Sequence, residues 1–439
     1  MHHASMMYSF ILSLLAALSL FASVVLAAPH CSLTPPENLD TTPASSSANN
    51  DTEVVATGWY AAWLGKDLPP AQISWDKYSA LTFAFATTTP DVNTIALDAD
   101  SAALLPTFVQ EAHKNGVQAH LSIGGWSGSI YYSSAVGSAA NRTAFVKAVV
   151  GLAQKYSLDG IDFDWEYPGK QGIGCNGIST SDSANFLSFL QELKKDDTGS
   201  KLKLTSAVGI APYVGMADVS PFAKVLDHIA IMNYDIWGSW STGAGPNAPL
   251  DDSCAPQAEG SATSAVKAWT AAGFPASQIV LGVAAYGHSF FVANTAATDS
   301  TGELALYPAF DKAKQPAGDS DVGATYPTTD QCGNVISGPG GTFNFKAMIT
   351  DGFLDTTGKA ASGTTYRYDN CSQTPFVYQT SSQTLISYDD ATSFAAKGKF
   401  INDKGLAGFA VWHIGGDSNN ILLNAISDSM GIEQVCDDD

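Results

Sequence analysis

The sequence predicts an α/β protein built on a parallel (β/α)8 barrel, the TIM barrel, with an α+β subdomain inserted between the seventh and eighth strands. Three observations carry this reading. Short β-rich runs alternate with longer helical stretches, the interval before the eighth run is far too long for one crossover, and the fourth run carries carboxylates on a single face. The runs are residues 54–59, 81–86, 117–123, 160–165, 202–208, 228–232, 279–283 and 407–411. Between them, stretches such as 139–156 and 183–195 repeat apolar residues at three and four, as in Phe186, Leu187, Leu190 and Leu193, which is the helical period. A doubly wound open sheet is the alternative that the same alternation permits. Residues 289–384 are rich in Tyr, Gly, Thr and Asp and read as the inserted, mainly β subdomain, leaving 53–288 and 385–432 for the barrel.

Ahead of the barrel, residues 9–27 are continuously apolar and end on Val25-Leu26-Ala27, so 1–27 reads as a signal peptide. The leader lacks Lys or Arg, which keeps a spanning helix as the competing reading. Residues 28–52 are Thr, Pro, Ser and Asn with little that is apolar, and are expected to be a flexible segment. Six cysteines without a C-x-x-C pair, behind a secretion signal, are candidates for disulfides. The pairs expected are Cys332 with Cys371 and Cys175 with Cys254. Asn50-Asp51-Thr52 and Asn141-Arg142-Thr143 match the glycan acceptor pattern. The expected location is extracellular. With 21 Lys+Arg against 42 Asp+Glu the net charge is -21, which argues against nucleic acid and against an anionic membrane surface. No later segment is long and apolar enough to span a membrane, and the mature protein is expected to be a monomer.

The fourth run reads Asp159-Gly160-Ile161-Asp162-Phe163-Asp164-Trp165-Glu166. A strand's period of two puts Asp162, Asp164 and Glu166 on one side and Ile161, Phe163 and Trp165 on the other. The apolar side packs beneath helices, so the acidic side faces the barrel interior and rises toward its C-terminal rim. Same-face neighbours lie about 7 Å apart, close enough to couple their titrations and to hold a proton among them. Glu166, nearest the rim and longest, is the natural general acid. A solvated acidic face is disfavoured by the interleaved Phe163 and Trp165. No histidine lies at ligand spacing nearby, so neither a metal nor a cofactor is expected.

These residues closely resemble the D-x-x-D-x-D-x-E signature of glycoside hydrolase family 18, the chitinases and their relatives. Ser122-Ile123-Gly124-Gly125-Trp126, Met232-Asn233-Tyr234-Asp235 and Trp412 support the resemblance in chain order, from about Gly58 to Asp417. It implies a secreted chitinase acting on chitin and N-acetylglucosamine oligomers by a retaining, substrate-assisted mechanism. Glu166 would be the acid and then the base, Asp164 would orient the substrate acetamido group, and Asp162 would tune Asp164 from below. Tyr234 would donate a hydrogen bond to the same group. The resemblance places Phe85, Gly125, Tyr167, Met232, Asp235 and Tyr286 in the sugar site, Trp412 on its floor, and Trp126 and Trp240 as stacking platforms. Tyr60 would support the acidic cluster from the first strand. Trp63, Trp75, Trp237 and Trp269 are read as core. Many relatives carry Arg where this chain has His288. A lectin without catalysis and an endo-β-N-acetylglucosaminidase acting on glycoprotein glycans are the alternatives of the same fold.

Overall fold

The structure, a computed structural model, describes residues 31–34 and 54–436. The expected leader and most of segment 28–52 lie outside the described residues. One part of that segment departs from the expected flexibility. Strand Cys31–Thr34 pairs antiparallel with strand Glu433–Cys436, so order comes from a partner at the far end of the chain that local composition cannot reveal.

Eight parallel strands close into a barrel. They are β1 (Val55–Ala61), β2 (Ala80–Thr88), β3 (Gln118–Gly124), β4 (Gly160–Asp164), β5 (Lys203–Val208), β6 (His228–Ile231), β7 (Ile279–Ala284) and, after the insertion, β13 (Gly408–Trp412). Each pairs with its neighbour in order, and β1 bonds both β2 and β13, which rules out an open sheet. Five crossover or closing helices match the helical stretches: α1 (Ala99–Lys114), α2 (Ala139–Tyr156), α3 (Asp182–Leu193), α4 (Ala262–Ala271) and α6 (Ala391–Lys404), with α7 (Ile421–Met430) after the last strand. Among the described residues, the crossovers after β1 and β5 contain only 3-10 turns, at Ala62–Leu64, Pro70–Gln72, Trp75–Lys77 and Phe222–Lys224. Prolines at Pro69, Pro70 and Pro221 disfavour continued helix there, because they lack the N–H and clash with the preceding turn.

The two faces of the barrel strands differ in kind. Outward, Ile161 and Phe163 are fully buried, and Phe163 meets Phe186 and Phe189 of α3 edge to face. Inward, Ala84, Ala207, Ala230 and Ala410 cluster with Trp59, Phe85, Met232 and Trp412. Small residues at those positions leave room above the polar layer described below.

The insertion is a five-stranded antiparallel sheet in the order β9 (Thr342–Asn344), β8 (Tyr286–Phe291), β12 (Thr384–Ser387), β11 (Thr374–Gln379) and β10 (Thr364–Asp369), with the short helix α5 (Phe345–Thr350). Its sheet is wider than residues 289–384, because only Ala285 separates β7 from β8 and the chain leaves the barrel as a strand. Phe290, Val292, Phe376, Tyr378 and Leu385 form its core.

The expected cysteine pairing is corrected. Among the described side chains the bonds are Cys175–Cys332, with Cα atoms 5.5 Å apart, and Cys254–Cys371, 6.4 Å apart. Partners are set by which loops meet in space: the insertion loop around Gln331 reaches the loops after β3 and β4, where its amide donates to the Ser127 carbonyl, while the loop after β6 meets the β10–β11 turn. Both bonds therefore tie a barrel loop to the insertion.

Where the chain returns to the barrel, Lys397 Nζ donates to Asp389 Oδ1 at 2.6 Å with both side chains fully buried. Removing one partner of such a pair strands a charge in the interior. Lys397→Met is expected to lower unfolding free energy by about 3–5 kcal/mol, read as a lower urea midpoint at unchanged m-value.

Candidate active site

The site is built on β4. Asp162 lies in the polar layer inside the barrel, where three strands supply donors to it. Trp59 Nε1 on β1 (3.1 Å) and Ser122 Oγ on β3 (2.7 Å) donate to Oδ2, and Thr205 Oγ1 on β5 (2.7 Å) donates to Oδ1. Burial raises the Asp162 carboxyl, and these three hydrogen bonds oppose the rise. Asp164, one layer up, is also buried, and its Oδ1 has no hydrogen-bond partner among the described residues. Burial holds it well above the usual carboxylate range, with Glu166 and then Asp162 adding to the effect. Asp162 thus has donors that favour its charged form, while Asp164 lacks one at Oδ1 and burial disfavours its charge.

Glu166 sits just past the strand. Its N–H donates to Ser129 Oγ (3.0 Å) and its carbonyl accepts from Asn176 Nδ2 (2.9 Å), so its backbone is held from both sides. Burial pushes its carboxyl up to about 7, with the Asp235 carboxylate adding to the rise and a hydrogen bond from Tyr167 opposing it. That value suits a group that must give and then take a proton near neutrality. The Gly124-Gly125 turn makes the close approach possible. Gly124 has φ +116°, and a Cβ there would lie 2.0 Å from the Asp164 carbonyl oxygen; Gly125 has φ +77° and rests on the Phe85 ring.

Above the carboxylates opens a cavity of about 670 Å³. Its lining includes Phe85, Gly125, Trp126, Tyr167, Met232, Tyr234, Asp235 and Trp412. Tyr234 is buried, and burial raises its phenol. Trp126 is half exposed at the rim. Trp240 is equally exposed but stands outside this lining, with its edge toward His288 at 5.2 Å between ring centroids. Tyr286 is buried behind Asp235 and donates its O–H to Asp235 Oδ1 at 2.7 Å, so it acts on that carboxylate instead of lining the cavity.

Two residues expected in other places need correction. Tyr60 faces outward, stacks on Phe108 of α1 and donates to the Leu68 carbonyl; the residue of β1 that supports the acidic cluster is Trp59. Both faces of β1 are buried, so two adjacent aromatics carry no mark of which points inward. Trp63, read as core, is 60% exposed and lines the cavity beside Phe85 and Trp412. Trp75, Trp237 and Trp269 are buried.

With this geometry in place, comparison with known proteins is decisive. The sequence profile of Glycosyl hydrolases family 18 matches residues 55–417. The chain belongs to glycoside hydrolase family 18. A protein of Moniliophthora perniciosa described as a chitinase-like effector is 45% identical over 400 residues, 89% of this chain and 90% of its own length. One of Moniliophthora roreri with the same description is 47% identical over 89% of this chain and 95% of its own length. A crystal structure of a chitinase from Rhizomucor miehei has a TM-score of 0.75 at 33% identity, covering 85% of this chain and 99% of that one.

Within the family 18 frame, sequence reasoning missed Trp59, Ser122, Ser129 and Thr205, the groups that hold Asp162 and Glu166 in place. Ser122 stands between Leu121 and Ile123, a polar residue in an apolar setting, and that signal could have found it, whereas Thr205 is followed by Ser206 and nothing local separates the two. Ser129 lies in a loop and carries no such mark.

The raised Glu166 carboxyl has a consequence for stability. Between its unfolded value of 4.5 and its folded value of about 7, the folded chain holds a proton that the unfolded chain has lost. The associated stability is full below that window and is lost as pH rises through it, by about 3 kcal/mol. Glu166→Gln removes the effect. Urea unfolding is expected to show the variant close to wild type near pH 4 and more stable than wild type near pH 8.

Proposed function

We propose that this chain is a secreted chitinase that hydrolyses β-1,4 linkages between N-acetylglucosamine units with retention of configuration, Glu166 serving as acid and then base. The observation that carries the reading is Glu166, shifted to about 7 at the mouth of a cavity whose floor holds Asp164 above a triply hydrogen-bonded Asp162. A sugar resting on Trp412 would present its acetamido group to Asp164 and Tyr234, both of which are buried at the cavity floor.

In this scheme the Glu166 carboxyl gives its proton to the glycosidic oxygen as the bond to the anomeric carbon breaks. The acetamido carbonyl oxygen bonds to that carbon from the opposite face, while Asp164 accepts a hydrogen bond from the acetamido N–H and stabilises the positive charge that develops there. The product is a cyclic oxazolinium ion and a free leaving sugar. Glu166, now a carboxylate, takes a proton from a water that attacks the same carbon, which opens the ring and restores the acid. Two inversions at one carbon give net retention without a carboxylate nucleophile, an exception to the two-carboxylate scheme.

Two disulfides and the apolar N-terminal run support secretion. The description of the two Moniliophthora relatives as chitinase-like effectors favours a second reading, a chitin-binding protein without turnover. The intact Glu166 and the shift of its carboxyl favour hydrolysis.

The test is release of soluble sugars from colloidal chitin and from N-acetylglucosamine oligomers, with early-time anomeric analysis. Wild type is expected to release β-anomeric product, and Glu166→Gln to lose about 10²–10⁴-fold in kcat while still binding. Binding by wild type without hydrolysis would establish the second reading instead. The acid must be protonated, so kcat/KM is expected to fall as pH rises through about 7.

A further inference from the structure

His288 and Tyr286 lie two apart on β8 and so share a face. Both reach the same oxygen: His288 Nε2 lies 2.7 Å from Asp235 Oδ1, and Tyr286 O–H donates to it at 2.7 Å. Asp235 has φ +57°, in the left-handed region, and its N–H donates to Asn247 Oδ1. Asn247 Nδ2 in turn donates to the Tyr286 carbonyl, and its N–H donates to Ser387 Oγ on β12. Asp235 is therefore clamped to the insertion sheet through Oδ1, while its side chain stays half exposed toward the cavity it shares with Glu166.

A carboxylate oxygen can only accept, so Nε2 of His288 carries the hydrogen. Nδ1 is buried without any partner among the described residues. A second proton there would be an unsatisfied buried N–H. Among the described residues, His288 faces the following groups. From the paired strands β9 and β12 it meets Thr342 and Ser387, neither of which titrates; from the loop after β6 it meets Asp235 and the Trp240 edge; on its own strand it meets the Tyr286 phenol. Lys312, whose Nζ donates to the Trp240 carbonyl, is the nearby cation that these contacts bring in, and it bonds Trp240 and not Asp235.

We propose that His288 is a positioning residue that clamps Asp235 as an uncharged Nε2–H donor and so leaves the Asp235 carboxylate charge uncompensated beside Glu166. The inference rests on the hydrolase reading for its purpose, though not for its test. The uncompensated charge adds to burial in holding the proton on Glu166, so the acid stays armed to higher pH than it would with a fixed cation at this position.

The experiment is carbon-13 NMR of the full chain labelled at the Glu side-chain carboxyl, with Glu166 assigned by the resonance lost in Glu166→Gln. Its titration midpoint is followed in wild type, His288→Asn, His288→Arg and Asp235→Asn. His288→Asn keeps a neutral donor and is expected to leave the midpoint unchanged. His288→Arg, which compensates the charge, and Asp235→Asn, which removes it, are each expected to lower the midpoint by about one pH unit. A rise in His288→Asn would show that the wild-type ring is a cation and overturn the proposal, as would an unchanged midpoint in Asp235→Asn. Those two variants decide the matter even if His288→Arg does not fold. The readout is a proton and not turnover, so an inactive wild type would sink the hydrolase reading and leave this test standing.

Discussion

The desolvation of three carboxylates on and just past one strand is the constraint on which the rest of this structure depends. A buried carboxylate is costly unless it is given donors or a proton, and here two aspartates in unlike surroundings stand one above the other. Asp162 has three donors from β1, β3 and β5. Asp164 has no partner for Oδ1 among the described residues, and burial holds its carboxyl well above the usual carboxylate range. Those three donors converge only if the barrel closes in register, so the closure that forms the core also fixes the charge distribution of the site. Fold and chemistry are satisfied by the same hydrogen bonds.

That arrangement also explains why the interior is not uniformly filled. A barrel of this size is usually packed with branched residues in layers. Here Ala84, Ala207, Ala230 and Ala410 stand where larger side chains would otherwise meet, and the volume they vacate is the floor of the cavity. The outer face compensates, with Phe163, Trp165, Phe186 and Phe189 interlocked beneath α3. Stability is concentrated outside the barrel wall and chemistry inside it.

The insertion is more than an added wall. Tyr286 and His288 on β8 hold Asp235, Asn247 joins that loop to β8 and β12, and the two disulfides join barrel loops to the insertion. A carboxylate that influences Glu166 is therefore aimed by residues of a different sheet. Because β7 runs almost directly into β8, a displacement of the insertion would be felt at the rim of the site.

Much of this was legible before any coordinates. Alternation of strand and helix specified a parallel α/β architecture, whose closure into a barrel the β1–β2 and β1–β13 pairings decided, and a period of two specified which carboxylates face inward, because Asp and Phe on alternate positions of one strand can be satisfied in only one orientation. What tertiary structure alone decided follows from the absence of such contrast. On β1 both neighbours of the inward position are apolar and buried, so Trp59 and Tyr60 were indistinguishable until closure placed Trp59 against Asp162. Trp63 carries the composition of a core residue and the position of a rim one, and only the short 3-10 crossover after β1 exposes it. Cysteine partners and the clamp on Asp235 join segments more than fifty residues apart. Local periodicity holds information about which way a side chain points; which distant group it meets is set by chain closure in three dimensions.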